Sequence, residues 1–417
     1  MLIILVYLTT LFIAPQLWIE PFVDMRIDYY VYPLWALAVF FSREKNPLTL
    51  TPLDKFFLLM LLWIVLSMAV NGFHERSTEI IINYTKWLVL FKLVSMTVTS
   101  ADRLRTVALM LVFFALVLAV EGIEHKTGES GLGWAGQTLG WIDPEAAAAG
   151  EPGRTRWINI FDGPGVFCVV YTVGLPFVMQ YVVTPFGFGT RLLGMGLVGL
   201  LLVAIYFTGS RGGFLTTMAL FALFIAVRYK VSLMKIALVG GVIGAAFMLA
   251  PSHLTTLDDS SKSTKHRVEM WIEGVEMVQH NPLFGIGKGN FLKYTSKLIA
   301  HNSSIEIMGE TGLPGLFFWI GLIYLSLKNV VFYVRDTEDE RDKAYATALG
   351  LSVLGYIASS MFVTLEYETF YFLLGLCAAL GFRLKQPIVF TERDFWAISG
   401  MTVGWGILIK AFVIIYA

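Results

Sequence analysis

The stretch "FFLLMLLWIVLSMAV", residues 56–70, contains no charged side chain and only one serine among its apolar residues. A helix that spans a bilayer needs about 20 mostly apolar residues, and this run reaches that length with its flanks. Similar runs recur along the chain, so we predict an all-α polytopic membrane protein with about 12 or 13 spans. The predicted spans are residues 1–18, 29–42, 55–72, 79–99, 104–122, 163–183, 190–208, 211–228, 232–250, 314–333, 343–364, 367–384 and 394–416.

The composition supports one integral membrane domain over residues 1–417. The chain is 56% hydrophobic and only 15% charged, whereas soluble domains carry about 25% charged residues. The 31 basic and 31 acidic residues balance, and no basic run indicates a nucleic-acid partner. The six histidines are scattered and no Asp-x-Asp occurs in a predicted outer loop, so we expect neither a metal site nor a cofactor.

The distribution of basic residues predicts the orientation of the spans. Short loops that hold several Lys and Arg residues normally face the cytoplasm. With the N-terminus in the cytoplasm, those loops all lie on the inner side, as shown by Arg43, Lys45, Arg103, Arg105, Arg228, Lys230, Arg383 and Lys385. Two long connections, residues 123–162 and 251–313, then lie on the outer side.

Arg211 stands out in "FTGSRGGFL", residues 207–215, because it lies between two predicted spans on the outer side. An arginine at a helix end often extends to the lipid headgroups. The surrounding glycines allow close approach, and Arg211 also falls at the start of a helix, where anions are favoured. The alternative interpretation of this pattern is that Arg211 forms part of a phosphate site.

Residues 265–279 have the periodicity of an amphipathic helix. Glu269, Glu273 and Glu276 share one face, whereas Arg267 aligns with Trp271, away from the glutamates. Arg267 either covers Trp271 with its aliphatic stem or binds an anion. The following "GIGKGN", residues 285–290, lacks the spacing of a nucleotide loop and is interpreted as a glycine-rich turn, with Lys288 as a further candidate phosphate contact.

The stretch "AHNSSIEIMGETGLPG", residues 300–315, predicts a helix that starts at Ser303 and ends near Gly312. Ser303 and Glu306 match a capping box. His301 precedes this helix, whose positive end keeps an imidazole neutral and therefore able to act as a base, although a histidine in a loop is more often without chemistry. Glu310 falls near the helix end and requires a cationic partner, for which we expect Arg211 or Arg267.

Three segments resemble the O-antigen ligase family: "GSRGG" at 209–213, "HRVEMWIEGVEMVQHNPLFGIGKGNF" at 266–291 and "HNSSIEIMGETGLPGLFFWIGL" at 301–322. The resemblance implies a membrane glycosyltransferase, similar in plan to the GT-C class, in the bacterial inner membrane. Such proteins transfer a glycan from undecaprenyl diphosphate to an acceptor at the periplasmic face, without a metal and with inversion. By motif, His301 is the general base, and Arg211 and Arg267 bind the donor diphosphate.

The resemblance leaves the acceptor open. A sugar of the lipid A core is the usual acceptor in the family, while a related polymerase extends a glycan and a related ligase modifies protein. A transporter is the alternative from another class, but the notable charges lie at the outer rim rather than at mid-membrane. Candidates for supporting the site are Glu310, Asn302, Lys288, Arg156 and Glu366.

One family pattern is imperfect in this chain. In "GRTRWINIFDGPGVF", residues 153–167, Arg156 and Asp162 fit an Arg followed by a D-P-N-like turn. Gly165 stands where that pattern has an asparagine. Glu366, in the outer turn "TLEYETFYF", either joins the site or is simply solvated.

Overall fold

The computed structural model describes residues 1–23, 25–140, 153–183, 187–232, 234–235, 257–295 and 299–416. Its helices are α1 (Leu2–Phe12), α2 (Ile27–Phe41), α3 (Pro52–Val70), α4 (Ser77–Thr97), α5 (Ala101–Thr127), α6 (Pro164–Val183), α7 (Phe188–Phe207), α8 (Arg211–Tyr229), α9 (Leu257–His280), α10 (Phe291–Tyr294), α11 (Ser303–Asp336), α12 (Glu340–Ser360), α13 (Glu368–Gly381) and α14 (Glu392–Tyr416).

The described helices confirm the all-α polytopic class. Within the described residues, eight helices are long and apolar enough to cross a membrane, and three shorter ones are also apolar. The eight are α3, α4, α5, α6, α7, α8, α11 and α14. The predicted span 232–250 falls almost wholly outside the described residues.

The spans begin where the sequence provides capping groups. Thr51 accepts a hydrogen bond from the backbone N–H of Asp54, and the Asp54 carboxylate accepts one from Thr51 N, which completes a capping box before α3. Ser210 caps α8 by accepting from Gly213 N at 3.0 Å. Such caps satisfy backbone N–H groups that have no partner within the helix. A backbone N–H group without a hydrogen-bond partner is energetically costly near lipid.

Helix α6 forms the centre of the bundle, and α7 and α14 lie at its periphery. Burial inside the protein covers 78% of the apolar window of α6, against 22% for α7 and for α14. A peripheral span can keep apolar side chains exposed because lipid, rather than water, surrounds them.

The two ends of the bundle differ in their polar contacts. At the end predicted to face the cytoplasm, Arg105 of α5 pairs with Asp342 of α12 at 2.6 Å. At the other end, Tyr84 of α4 donates to Glu366, and Ser67 of α3 contacts the loop before α11. Glu366, one of the residues predicted for the outer site, therefore lies at this second end of the fold.

The two long connections that we predict to lie on the outer side contain more helix than the sequence predicted. Helix α5 continues to Thr127, so the first connection, predicted over 123–162, starts several residues later. In the second, predicted over 251–313, α9 extends from Leu257 to His280 and includes the predicted amphipathic segment.

Helix α11 is two helices joined at a break. Gly312 has φ 71° and ψ −174°, which is not helical, and Pro314 follows it. The predicted helix end near Gly312 is therefore confirmed. Only glycine adopts this conformation without strain, so the break depends on Gly312.

Candidate active site

The turn "GIGKGN" satisfies the backbone groups that the break in α11 leaves without helical partners. Ile286 N donates to Gly309 O at 3.1 Å, and Gly287 N donates to Glu310 O at 2.9 Å. From α3, the indole of Trp63 donates to Thr311 O at 2.8 Å. Since broken helices at membrane depth need such partners, this turn is a structural support for the site.

Lys288, in the same turn, is buried between two carboxylates. Its Nζ lies 2.6 Å from Glu310 Oε2 and 2.7 Å from Glu366 Oε2. Burial opposes the charge of Lys288, but Glu310 and then Glu366 raise its pKa, so it stays protonated. We call Lys288, Glu310 and Glu366 the lysine network. The ammonium is therefore paired with these two carboxylates, and the phosphate contact predicted for Lys288 stays a prediction.

Glu310 does have the cationic partner that its position requires, but the predicted partner is wrong. Besides Lys288, its carboxylate accepts hydrogen bonds from Gly289 N and Phe291 N, both at 3.0 Å. Neither Arg211 nor Arg267 pairs with it. The prediction failed because spacing along the chain does not show that the glycine turn folds back onto α11.

The predicted capping box at Ser303 is also wrong in detail. Asn302 is the cap, because its Oδ1 accepts from Ser304 N at 3.0 Å and Ile305 N at 3.3 Å. Ser303 Oγ instead accepts from Leu365 N at 2.8 Å, which ties α11 to the turn before α13. The helix start at Ser303 is confirmed, and Asn302 has a structural role.

Ala300, the residue before His301, is held through both of its backbone polar groups. Ala300 N donates to Glu306 Oε1, and Ala300 O accepts from the Trp271 indole, both at 2.9 Å. His301 itself has φ 49°, in the left-handed region that costs a non-glycine residue roughly 1–2 kcal/mol. Such strain persists where surrounding contacts fix the backbone, so Glu306 and Trp271 set the direction of His301.

Helix α9 carries both Trp271 and Arg267 on the face turned toward α11. The two helices pack closely at Gly274, where an added methyl group would clash with Ile305. Burial lowers the pKa of His301, and the positive charge of Arg267 lowers it further. The neutral imidazole predicted from the helix end is therefore favoured for different reasons, namely burial and a neighbouring guanidinium.

Arg267 lies near His301, and two further arginines lie near Arg267. Burial lowers the pKa of Arg267, and the charges of Arg154 and then Arg211 lower it further. Arg211 is exposed at the first position of α8. We call Arg154, Arg211 and Arg267 the arginine cluster. Within the described part of the chain, no carboxylate forms an ion pair with any of the three.

Arg154 was missed in the sequence, where Arg156 was the candidate. Arg156 instead pairs with Asp162 at 2.7 Å and donates to Thr138 O at 2.9 Å. The side chain of Arg154, two residues earlier, packs against the turn that leads to Arg211. The only signal in the sequence was a second arginine in "GRTR", which does not show which of the two side chains points to the site.

The glycines around Arg211 mostly make room for protein. A methyl group on Gly212 would lie 2.4 Å from Phe362 Cβ, and one on Gly213 would lie 2.2 Å from Cys168 Sγ. Similarly, a methyl group on Gly165, which stands at the position of the family's asparagine, would lie 2.6 Å from Val363 Cγ2. Close helix packing, rather than ligand approach, explains these glycines.

Together, the fold and the site define a polytopic membrane protein with an arginine cluster and a histidine at one end of its bundle. Residues 196–320, which include Arg211, Arg267 and His301, match the family model described as O-antigen ligase. The match confirms the O-antigen ligase resemblance and supports a ligase- or polymerase-like glycosyltransferase. Comparison with curated proteins gave no match.

Proposed function

We propose that this protein transfers a glycan from undecaprenyl diphosphate to an acceptor hydroxyl at the periplasmic face of the bacterial inner membrane. The lipid A core sugar is the acceptor that we favour, by the family match. One observation carries the proposal: Arg267, which has no carboxylate partner among the described residues, lies beside a histidine whose pKa is lowered, and Arg154 and Arg211 lie near Arg267. A donor that is anionic at its diphosphate and an acceptor that is a neutral hydroxyl require this combination.

The arginines stabilise the charge that builds on the leaving group. When the bond between the anomeric carbon and the diphosphate oxygen breaks, its electron pair stays on that oxygen. Guanidinium groups bind phosphate oxygens in a bidentate way and are always charged. Fixed cations that face this developing charge lower the barrier because they need no reorganisation during the reaction. Arg211 and Arg267 take this role.

His301 accepts the proton of the acceptor hydroxyl. As the proton moves to a ring nitrogen of His301, the acceptor oxygen attacks the anomeric carbon from the side opposite the diphosphate. A single displacement of this kind inverts the anomeric configuration and forms no covalent glycosyl-enzyme. Its lowered pKa keeps His301 in the neutral form that can accept a proton near pH 7.

The test is glycan transfer by the purified protein from an undecaprenyl-diphosphate-linked donor to lipid A core, a free glycan or a protein. We expect His301→Ala to reduce transfer by about 10² to 10⁴, the usual contribution of a general base, while donor binding persists. His280→Ala is the matched control, because His280 is an exposed histidine at the end of α9. Wild-type rates in His301→Ala, or no transfer to any acceptor by the wild type, would refute the proposal.

A further inference from the structure

We infer that Arg154, carried by the first outer connection, is a third donor-binding residue that contacts the diphosphate together with Arg211 and Arg267. The inference rests on the proposed function and extends it to a part of the chain outside the matched family segment, residues 196–320. It makes the described segment that carries Arg154, residues 153–157, one wall of the donor site.

The position of Arg154 follows from its contacts with the turn before α8. A methyl group on Gly209 would lie 3.2 Å from Arg154 Cγ, 3.3 Å from Cδ and 3.4 Å from Nε. The arginine stem therefore lies along Gly209, two residues before Arg211. Gly209 has φ 57°, so glycine serves this turn both by its conformation and by the space it leaves.

The backbone around Arg154 is anchored to the bundle. Gly140 N donates to Arg154 O at 2.7 Å, and Thr155 N donates to Phe207 O at 3.2 Å, at the end of α7. Thr155 is buried. The segment is thus fixed against the same turn that presents Arg211, which is the preorganisation that a binding residue needs.

The charge of Arg154 has no local explanation. Its side chain is exposed, and among the described residues no carboxylate lies within ion-pair distance of it. Instead, its positive charge, followed by that of Arg211, adds to burial in lowering the pKa of Arg267. Three like charges held together are unfavourable unless an anion joins them, and a diphosphate provides enough oxygen atoms for three guanidinium groups.

Arg156 is a built-in control, since it differs from Arg154 mainly in its partner. Its guanidinium is committed to Asp162 and Thr138. Replacing Arg154 removes a cation from the cluster, whereas replacing Arg156 removes a bridge that holds the same connection. The two variants therefore separate direct binding from docking of the connection.

The experiment measures binding of undecaprenyl diphosphate and undecaprenyl monophosphate to the purified full-length protein. A hydrogen bond to a charged group contributes enough that Arg154→Ala should weaken diphosphate binding by about ten- to a hundredfold. Monophosphate binding should change less, because fewer oxygens engage the cluster. Arg154→Lys should retain part of the affinity, and Arg156→Ala should leave the diphosphate preference intact.

Two results would overturn the inference. One is wild-type diphosphate affinity in Arg154→Ala while Arg211→Ala and Arg267→Ala lose it. The other is an equal loss in Arg154→Ala and Arg156→Ala, which would assign the effect to docking of the connection. Failure of the wild-type protein to bind undecaprenyl diphosphate would instead refute the proposed function, so the two failures are distinguishable.

Discussion

The end of the bundle that we predict to face the periplasm contains a buried lysine and a group of arginines that differ in their partners. Lys288 lies between Glu310 and Glu366, both within 2.7 Å of its ammonium. The arginine cluster has no such carboxylates among the described residues, although it lies at the same end of the bundle. A buried cation that already has its counterions is costly to remove, because the carboxylates would be left buried and unpaired, whereas unpaired cations held together leave room for an anionic substrate.

This difference predicts that the lysine network should affect stability and the arginine cluster should affect activity. Lys288→Met leaves two buried carboxylates without their cation. Breaking a buried pair in this way typically costs about 3–5 kcal/mol, so we expect a large loss of thermal stability and of folded protein in detergent. Arg211→Met, which removes an exposed cation, should keep the wild-type melting temperature. Similar melting temperatures for the two variants would show that the contrast between the groups is wrong.

The arginine cluster should discriminate between a guanidinium and an ammonium. Arg211→Lys and Arg267→Lys keep the positive charge but lose the planar fork that binds phosphate oxygens in pairs. We expect each to reduce transfer by about ten- to a hundredfold, the worth of a hydrogen bond to a charged group, with unchanged thermal stability. Kinetics over a range of donor concentrations provides the measurement. If both lysine variants transfer at the wild-type rate, the cluster acts as a point charge rather than as a bidentate clamp.

The sequence predicted the fold, but it did not predict most of this difference between the lysine network and the arginine cluster. Apolar runs predicted the spans because lipid imposes length and hydropathy on each helix separately. The helix from Ser303 to the break at Gly312 was also predicted, since proline and glycine act locally. Which cation meets which carboxylate depends on how segments far apart in the chain fold together, so the sequence did not show that Lys288, rather than an arginine, pairs with Glu310.

The same limit explains why the sequence analysis named Arg156, and not Arg154, as a candidate. The two side chains lie two residues apart in "GRTR", and spacing gives no preference between them. The bridge from Arg156 to Asp162 and the packing of Arg154 on Gly209 appear only in the folded chain. Glu306 was assigned to a cap for a similar reason, because its real contact with Ala300 N depends on the turn at His301.

A smaller effect on activity is expected from a residue that holds His301 in position but does not contact the substrate. Trp271 donates to Ala300 O and so holds the peptide that precedes His301. Trp271→Phe keeps a ring but removes the donor, and one neutral hydrogen bond is worth up to about tenfold in rate. We expect kcat to fall by that amount while KM for the donor stays the same. Trp134→Phe is the control, because the Trp134 indole donates to Glu124 in the first connection. Equal effects on kcat and KM would mean that Trp271 supports the whole site rather than His301.

The subtlest test of the comparison is the pH dependence, because it asks which arginine acts on His301. The base must be neutral, so the rate should fall as pH drops through the pKa of His301, and burial and Arg267 both lower that pKa. Removing the charge in Arg267→Gln should therefore raise the pKa, and the acid limb of the residual rate should move to higher pH. Arg211→Gln removes the same charge, but Arg211 is not among the groups that shift His301, so its acid limb should stay in place. Rate–pH profiles of the two variants, each normalised to its own maximum, compare them despite their lower activity. If the acid limb moves equally in both variants, the cluster acts on His301 as a single charge. If it moves in neither variant, burial alone is the reason that His301 is neutral.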